Sequence, residues 1–352
     1  MTPRLTVRPR SDHGQTAVRP RSDLSQTTIE SGETMTVLIA GGTGAMGQPL
    51  VRALVRRGHD VIGLTRSAPK RASIESLGAR AVIGDALDAD EMKRVVADAA
   101  PSHVVHLLTA LPAAGPMRAR DLRPTNELRV RGTENLLRAA IAARVKRLVA
   151  ESFIGIYGRA DFDRPQGEDG PLAPPVDGVF HEADLALRSL EDQLKRARDA
   201  NAIETVTLRY GGIYGPQVAS MQAVLQMLRT RRLFLPRGVD GVMSFVHVDD
   251  AAGATIAALE HPSPAAVYNV VDDQPMSLAA FLDIAASMIG APPPRTMPAW
   301  IFRFIAPLMA EAMSVRMPLS NAKAKRELGW QLAYPTVRDG MRDLLTRMEH
   351  AA

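Results

Sequence analysis

The sequence contains no cysteine, which excludes disulfide bonds, thiolate catalysis and zinc sites with cysteine ligands. A chain without disulfides fits the reducing cytoplasm, and this is the location that we expect. Charge of one sign is also scarce, since the formal net charge is +5 in 352 residues. This weak excess favours a small anionic ligand and no nucleic-acid partner. Uninterrupted apolar runs of the roughly 18–20 residues that span a bilayer are missing, so we expect no stable membrane insertion.

The first 34 residues differ in composition from the rest of the chain. A hexapeptide, Val-Arg-Pro-Arg-Ser-Asp, begins at Val7 and returns at Val18. The segment is polar, rich in proline, arginine and serine, and without apolar periodicity, so we predict a disordered N-terminal extension over residues 1–34. It lacks the apolar stretch of a secretory signal. We expect Met35, directly before the first predicted strand, to be the working start of the protein, with the repeat as a translated extension.

From Met35 onward, short apolar runs alternate with amphipathic helical patterns. The runs predict strands over residues 37–40, 60–65, 80–84, 103–108, 147–151, 205–208 and 267–271. Several are apolar on both faces, as strands between two layers of helices are. The alternation predicts an α/β fold, a doubly wound parallel sheet of the Rossmann type, in a dinucleotide-binding domain over residues 35–211. Prolines separate short helices after residue 211, and we expect residues 212–352 to form a smaller, mostly helical substrate region interleaved with the last strands.

The first predicted strand runs directly into a glycine-rich loop, and a predicted helix follows. The loop reads Gly41-Gly42-Thr43-Gly44-Ala45-Met46-Gly47. Its first glycine suits a tight turn, Gly44 the close approach of a pyrophosphate, and Gly47 the close packing of a helix on a strand. The N terminus of that helix would offer free N–H groups to phosphates. Because strand, loop and helix occur in the required order, we predict a dinucleotide site held by Gly41 and residues 43–47.

The ends of the next strands refine the choice of cofactor. Thr65 stands where NAD enzymes usually carry an acid for the ribose 2′-hydroxyl, and Arg66 follows it. An arginine suits a 2′-phosphate, so we expect NADP, with NAD as the alternative. Asp85, after the third strand, suits either the adenine amino group or a helix N-cap. Further cofactor contacts are expected where the third and fourth strands end, from Ala86, Leu107 and Leu108.

Several more motifs lie beyond the glycine loop. They are Arg131-Gly132-Thr133-Glu134-Asn135, Ser152 with Tyr157-Gly158, Tyr214-Gly215-Pro216, Phe245-Val246-His247-Val248-Asp249-Asp250, Tyr268-Asn269-Val270 and Leu328-Gly329-Trp330. With these motifs, residues 35–350 resemble the extended short-chain dehydrogenases/reductases, also called the NAD-dependent epimerase/dehydratase family. The resemblance implies a Rossmann domain, a C-terminal substrate domain, and redox, epimerase or dehydratase chemistry on a small-molecule substrate.

The resemblance fails at the residues that carry the family's catalysis. The family pairs a tyrosine acid/base with a lysine four residues later, at the start of a helix that here carries Glu191. Matched on Glu191, the tyrosine and lysine places hold Ala183 and Leu187. Neither side chain can donate a proton to an alkoxide. Arg129 and Met243 replace an asparagine and an arginine of many members, which weakens an interpretation as a nucleotide-sugar enzyme.

Three side chains are candidates for the missing acid: Ser152, Tyr157 and His181. Ser152 ends the fifth strand, at the edge of the sheet where ligands bind. Tyr157 follows on the same loop, and the alternative there is a packed aromatic ring with a satisfied hydroxyl. Histidine is a common proton donor in enzymes, and His181 lies just before the helix that lacks the tyrosine, where a capping role is the alternative.

Two functions remain open on this evidence. The first is a reductase that transfers hydride from the cofactor to a carbonyl of a small or mid-sized substrate. The second is a catalytically silent dinucleotide binder that acts as a sensor or regulator. We expect no metal site, because His247, Asp249 and Asp250 lie on a turn where helix caps are favoured. The apolar segment over residues 297–313 should pack over the substrate pocket, with a homodimer contact as the alternative.

Overall fold

The computed structural model describes residues 33–158, 161–175, 177–239 and 241–351. The tandem repeat lies outside them, and so does the predicted disorder of residues 1–34 apart from the last two positions. The described residues form eleven strands: β1 (Thr36–Ala40), β2 (Asp60–Thr65), β3 (Arg80–Ile83), β4 (His103–His106), β5 (Arg147–Phe153), β6 (Glu204–Tyr210), β7 (Gly212–Tyr214), β8 (Phe234–Pro236), β9 (Phe245–His247), β10 (Val267–Val270) and β11 (Arg295–Met297).

Thirteen α-helices connect or follow these strands in the described part of the chain. They are α1 (Gly47–Arg56), α2 (Arg71–Glu75), α3 (Ala89–Ala99), α4 (Arg123–Glu127), α5 (Thr133–Ala142), α6 (His181–Asp199), α7 (Ala219–Arg229), α8 (Val248–Glu260), α9 (Leu278–Met288), α10 (Ala299–Ile305), α11 (Pro307–Ala312), α12 (Ala322–Leu328) and α13 (Val337–Ala351). A π-helical turn over Leu128–Gly132 joins α4 to α5.

Seven strands form one parallel sheet in the order β3-β2-β1-β4-β5-β6-β10. At its centre, Leu38 of β1 lies between Ile62 of β2 and Val104 of β4. These are the seven predicted strands, and their order reverses between β1 and β4. The predicted α/β Rossmann-type fold is therefore confirmed. In such a sheet the ligand crevice lies at the carboxyl ends of the strands, beside the reversal.

Helices cover both faces of the sheet, which explains why its strands are apolar on both sides. One face packs on α1 and α8, through strand residues such as Val37 and Ile39. The other face packs on α3, α5 and α6, through neighbours such as Leu38 and Ala40. Successive strand residues thus point into opposite cores, and both cores hold the strand ends in fixed positions below the crevice.

A buried arginine fixes the N-terminal end of β5 to a helix. Arg147 is 1% exposed, and its guanidinium donates to the backbone oxygens of Ala258, Leu259 and His261, at the C-terminal end of α8. It also donates to the Glu204 carboxylate at 2.8 Å. The last carbonyls of a helix have no partners within the helix, so Arg147 satisfies them and complements the negative end of the helix dipole.

The C-terminal region has a core of its own, built from α7, α9, α13 and their neighbours around side chains such as Leu225, Phe281 and Met341. Two small sheets, β7 with β9 and β8 with β11, join it. Of the apolar segment over residues 297–313, Phe302 is buried, whereas Trp300 and Phe304 are 75% and 87% exposed. Among the described residues, no helix has the length and apolar character to cross a membrane.

Candidate active site

The glycine loop has the geometry of a cradle whose shape depends on missing Cβ atoms. Gly41 has φ +99°, and a Cβ there would lie 2.6 Å from the Leu107 carbonyl oxygen. A Cβ on Gly47, the first residue of α1, would lie 2.2 Å from the Gly41 oxygen. Gly44 is exposed, and its Cβ position meets only that same oxygen, at 3.2 Å. The loop is therefore tightly packed at Gly41 and Gly47 and open to solvent at Gly44. This shape fits a pyrophosphate bound at the start of α1.

The other residues predicted to contact the cofactor lie along the same edge of the sheet. Arg66 follows β2 and is exposed, and its guanidinium has no hydrogen bond or ion pair within the described chain. Asp85 lies past the end of β3, and its carboxylate accepts the Leu87 N–H at 3.0 Å, so it closes a turn. The helix cap is instead Asp88, which accepts the Glu91 N–H.

The remaining predicted contacts follow the third and fourth strands as well. Ala86 and Leu107 are buried, and Leu108 is partly buried. The Leu107 N–H donates to the Ala40 carbonyl, so the end of β4 is held directly beside the glycine loop. The imidazole of His106 below them accepts the Leu108 N–H, and burial lowers its pKa to about 4. His106 is thus a neutral structural side chain, as expected for a buried ring.

Two of the predicted acids, Ser152 and Tyr157, belong to a buried network that ties β5, β6, α6 and β10 together. The Ser152 hydroxyl donates to Glu191 at 2.7 Å, and Arg209 donates to both oxygens of the same carboxylate. The Tyr157 hydroxyl donates to the Asn269 side chain and accepts from Arg209. Burial raises the pKa of Tyr157 above its ordinary value. Both hydroxyl protons are therefore engaged in contacts that hold the fold.

The third predicted acid, His181, begins α6 and lies apart from this network. Its side chain is 41% exposed, and its Nδ1 lies 4.0 Å from a carboxylate oxygen of Asp177. Two residues further along the helix, Ala183 is buried against Leu122 and Leu308. Leu187 packs in the adjacent apolar cluster around Ile156. The first two turns of α6 therefore present apolar packing at the places where the sequence comparison had put the family's tyrosine and lysine.

Two ionisable side chains that the sequence did not single out as acids lie at the ends of β4 and β5. Arg129, on the π-helical turn, is 9% exposed. Glu151, next to Ser152 in β5, has its pKa raised to about 7 by burial, against the attraction of Arg129. Their signals in the sequence are a glutamate inside an apolar strand and an arginine shortly before the Gly132-Thr133 pair.

A histidine and two carboxylates form a cluster of metal-ligand type at the start of α8. Ligand atoms of His247, Asp249 and Asp343 lie within 4.8 Å of one another. Arg347 enters the same cluster, donating to Asp249 at 2.5 Å and lying 3.0 Å from Asp343. A guanidinium already supplies the positive charge that these carboxylates require, so the residues do not fit a metal ion.

A cleft of about 460 Å3 opens beside the N terminus of α6, between the loop before that helix and α10–α11. Its lining includes Asp161, Val179, Arg303, Pro307, Glu311, Ser314, Val315 and Arg316. Leu308, next to Pro307, packs on Ala183. The cleft therefore borders the position that the sequence comparison had assigned to the catalytic tyrosine.

Comparison with known proteins identifies the class of this fold and site. Residues 37–271 match the model of the NAD-dependent epimerase/dehydratase family. The chain belongs to this family. The family and its reductase members make the chain an oxidoreductase or epimerase in class, with a nucleotide cofactor of the NAD type. The glycine cradle described above fits that cofactor.

Individual members of the epimerase/dehydratase family resemble the chain over most of its length. It is 38% identical over 315 residues to a 3-diazoavenalumate denitrifying reductase of a Streptomyces species, covering 87% of this chain and 99% of the relative. It is 29% identical to a 4-hydroxy-2-methyl-3-oxo-4-farnesyl-3,4-dihydroquinoline-1-oxide ketoreductase of Stigmatella aurantiaca, covering 71% and 72%. Among solved structures, Thermus thermophilus UDP-glucose 4-epimerase in complex with NAD matches with a TM-score of 0.73 and 25% identity, covering 90% of this chain and 100% of the epimerase.

Proposed function

We propose that this protein is an NADPH-dependent reductase that replaces a diazo group of its substrate by hydrogen and releases dinitrogen. The observation that carries the proposal is the apolar start of α6, where Ala183 and Leu187 occupy the places matched to the family's tyrosine and lysine. The protein keeps the glycine loop that would hold the cofactor but lacks the tyrosine–lysine pair that protonates a reduced carbonyl. We therefore expect its hydride acceptor to be a group other than a simple carbonyl. The 38% identical relative, whose name specifies reductive loss of nitrogen from a diazo compound, supports the choice.

The cofactor would be held along the carboxyl edge of the sheet. Gly41 and residues 43–47 would surround its pyrophosphate, with the N terminus of α1 supplying N–H donors. Arg66 would meet the 2′-phosphate, because it is exposed and its charge has no partner in the described chain. Asp85, Ala86, Leu107 and Leu108 would line the two ends of the site. When bound, the cofactor supplies hydride, and a preference for NADP over NAD follows from Arg66.

The chemistry of a diazo group explains why the tyrosine and lysine can be absent. Hydride addition to a carbonyl leaves an alkoxide, which needs a positioned proton donor. Hydride transfer to the carbon atom that bears a diazonium group forms a carbon–hydrogen bond and releases dinitrogen. The product contains no alkoxide. The carbon–nitrogen bond breaks as the carbon–hydrogen bond forms. The leaving group, dinitrogen, is neutral, so no side chain has to neutralise it. The apolar side chains at Ala183 and Leu187 are compatible with that reaction.

Carbonyl reduction is the second candidate, because the Stigmatella aurantiaca relative is named a ketoreductase. It requires a proton donor among the predicted acids. The hydroxyl protons of Ser152 and Tyr157 are donated to Glu191 and Asn269, respectively. His181, half-exposed and two residues after a lining residue of the cleft, would be the donor. A silent dinucleotide binder is the outcome if neither substrate class is turned over.

The test is turnover of two substrate panels by the purified full-length protein with NADPH. The panels contain diazo arenes and ketones of matched size, and NADPH oxidation, dinitrogen release and deuterium transfer from labelled cofactor are measured. We expect turnover and deuterium incorporation at the former diazo carbon. Reduction of ketones alone would replace the proposal by the second candidate. Cofactor binding without turnover of either panel would leave a silent binder, and absence of binding would refute all three.

A double variant, Ala183→Tyr with Leu187→Lys, tests directly whether the missing tyrosine–lysine pair matters for the reaction. If diazo reduction needs no tyrosine–lysine pair, restoring the pair gives no gain in the turnover of diazo arenes, since neither residue supplies a required group. Both places are packed in apolar clusters, so circular dichroism and NADPH binding check that the variant folds. The matched control, Leu185→Tyr, alters an exposed side chain of the same helix. A large gain in diazo turnover on restoring the pair would contradict the proposed reason for its absence.

A further inference from the structure

The cleft of about 460 Å3 beside the N terminus of α6 has walls that two apolar cores hold in place. On α10, Phe302 packs into the core of the C-terminal region. On α11, Leu308 packs on Ala183 and Leu122. Leu122 lies on the segment after β4, whose carboxyl end is held beside the glycine loop. One packed cluster therefore connects the cleft to the edge of the sheet where the cofactor would bind.

The cleft has the size and the apolar lining of a small-molecule site. Its volume lies within the range of ligand pockets, and Val179, Pro307 and Val315 contribute apolar side chains to its lining. Val179 also packs against the cluster that contains Ala183 and Leu308. The apolar surface thus continues from the cleft to the start of α6, which suits a flat, apolar ligand body.

Among the described residues of the lining, one cation lacks a partner. Arg316 lies 3.6 Å from the carboxylate of Asp161, and the two residues also form a backbone bridge. Arg303, on α10, is exposed at the cleft and forms no hydrogen bond or ion pair within the described chain. Glu311 lines the cleft as well, but it has another interaction and no ion pair with Arg303.

Aromatic side chains accompany this cation on α10. Trp300, Arg303 and Phe304 are spaced by three and four residues, so they share one face of the helix. Trp300 and Phe304 are 75% and 87% exposed. A guanidinium donates in a planar fork that matches the two oxygens of a carboxylate. Apolar walls, exposed aromatic rings and a single unpaired guanidinium together fit an aromatic acid.

We propose that this cleft binds the substrate as an aromatic carboxylate and that Arg303 is the specificity-determining residue, which pairs with the carboxylate. The inference rests on the proposed function for the reacting group, and it narrows the substrate to diazo arenes that carry an acid group away from the diazo carbon. With its acid at Arg303, the ligand extends along Val179 toward the start of α6. Because the acid takes no part in the reaction, Arg303 contributes to binding and not to the chemical step.

The test compares 2-naphthoate with 2-naphthamide, two probes of similar size that differ in charge. Calorimetric titration into the full-length protein with saturating NADP⁺ measures the affinity for each. The wild type should bind 2-naphthoate roughly tenfold more tightly, as expected for a charge-assisted hydrogen bond partly exposed to solvent. Arg303→Met, which keeps an apolar stem, should remove this preference and leave 2-naphthamide binding unchanged. Equal affinities of the wild type for both probes, or binding of neither, overturn the inference.

Two control variants locate the binding site of the probe. Arg295→Met removes another exposed arginine, on β11 and outside the lining of the cleft, and it should keep the roughly tenfold preference. Ser314→Trp places a large side chain at an exposed position of the lining, and it should weaken the binding of both probes. A loss in Arg303→Met without a loss in Ser314→Trp puts the anion outside the cleft and overturns the inference. Circular dichroism and NADP⁺ binding check that each variant folds.

A kinetic measurement separates this inference from the proposed function. For a diazo arene that carries a carboxylate, Arg303→Met should raise KM about tenfold and leave kcat within about twofold, while the corresponding carboxamide is unaffected. If neither diazo compound is turned over, the proposed function fails, and 2-naphthoate binding still decides the inference. If both are turned over and Arg303→Met binds 2-naphthoate like the wild type, the function stands and the inference is overturned.

Discussion

Replacing Arg66 by glutamine should reduce the affinity for NADPH and leave the affinity for NADH nearly unchanged. Arg66 is exposed directly after β2, and its charge has no partner within the described chain, so its loss should not disturb the fold. A charge-assisted hydrogen bond contributes about 1.5–3 kcal/mol, and exposure to solvent favours the lower end of that range. At 1.4 kcal/mol per tenfold change, we expect NADPH binding to weaken by roughly tenfold.

The assay is fluorescence titration of both cofactors into wild type and variant at one fixed ionic strength. Arg71→Gln is the matched control, because Arg71 is 56% exposed one turn further on and already paired with Glu75 at 2.8 Å. Raising the salt concentration should shrink the preference of the wild type for NADPH, since an exposed charge is screened. Parallel losses of NADPH and NADH, or equal effects of the two variants, would refute the assignment of Arg66 to a 2′-phosphate.

Three more substitutions follow from the packing. Gly47→Ala would place a Cβ 2.2 Å from the Gly41 oxygen, so urea unfolding should show a loss of about 1–3 kcal/mol, together with loss of NADPH binding. Gly44→Ala meets only that oxygen at 3.2 Å, so its unfolding free energy should change by less than about 1 kcal/mol while NADPH binding weakens. Arg147→Met leaves the last carbonyls of α8 without donors, and thermal unfolding should show a loss of about 3 kcal/mol.

The sheet could be predicted from the sequence because its signals are local. Each parallel strand is a short run buried on both faces, and each crossover helix repeats its apolar residues at three and four. The predicted and observed strands share their starts within one residue, and the largest difference at an end is two residues, as at β5 and β6. The glycine loop was equally local, since turn, approach and packing depend on residues within one segment.

The helices of the C-terminal region were harder to predict from the sequence, because several of them are buried. The short helices that the prolines indicated are present, since α10, α11 and α12 have 7, 6 and 7 residues. The longer helices α7, α8, α9 and α13, with 11, 13, 11 and 15 residues, were not predicted. Helix α8 is buried along most of its length, from Val248 to Leu259, so it lacks the polar face that gives a helix its period in a sequence. The exposed Trp300 and Phe304 show the converse, since residues that were expected to pack inside lie outside.

The hydrogen-bond network around Ser152 and Tyr157 could not be read from the sequence, because its members are distant along the chain and meet only when β5, β6, β10 and α6 become neighbours. Ser152 and Tyr157 were chosen from the family's pattern, which identifies residue types at positions. It does not show whether a hydroxyl proton is free. In the structure, Glu191, Arg209 and Asn269 form hydrogen bonds with the two hydroxyls. These hydrogen bonds depend on how side chains from three strands and a helix pack together.

The absence of the tyrosine–lysine pair follows from what α6 does in this fold. A tyrosine at position 183 would have to displace Leu122 and Leu308, and a lysine at position 187 would place a charge in the apolar cluster around Ile156. The start of α6 is thus committed to packing, and a reaction that leaves no alkoxide to protonate is compatible with it.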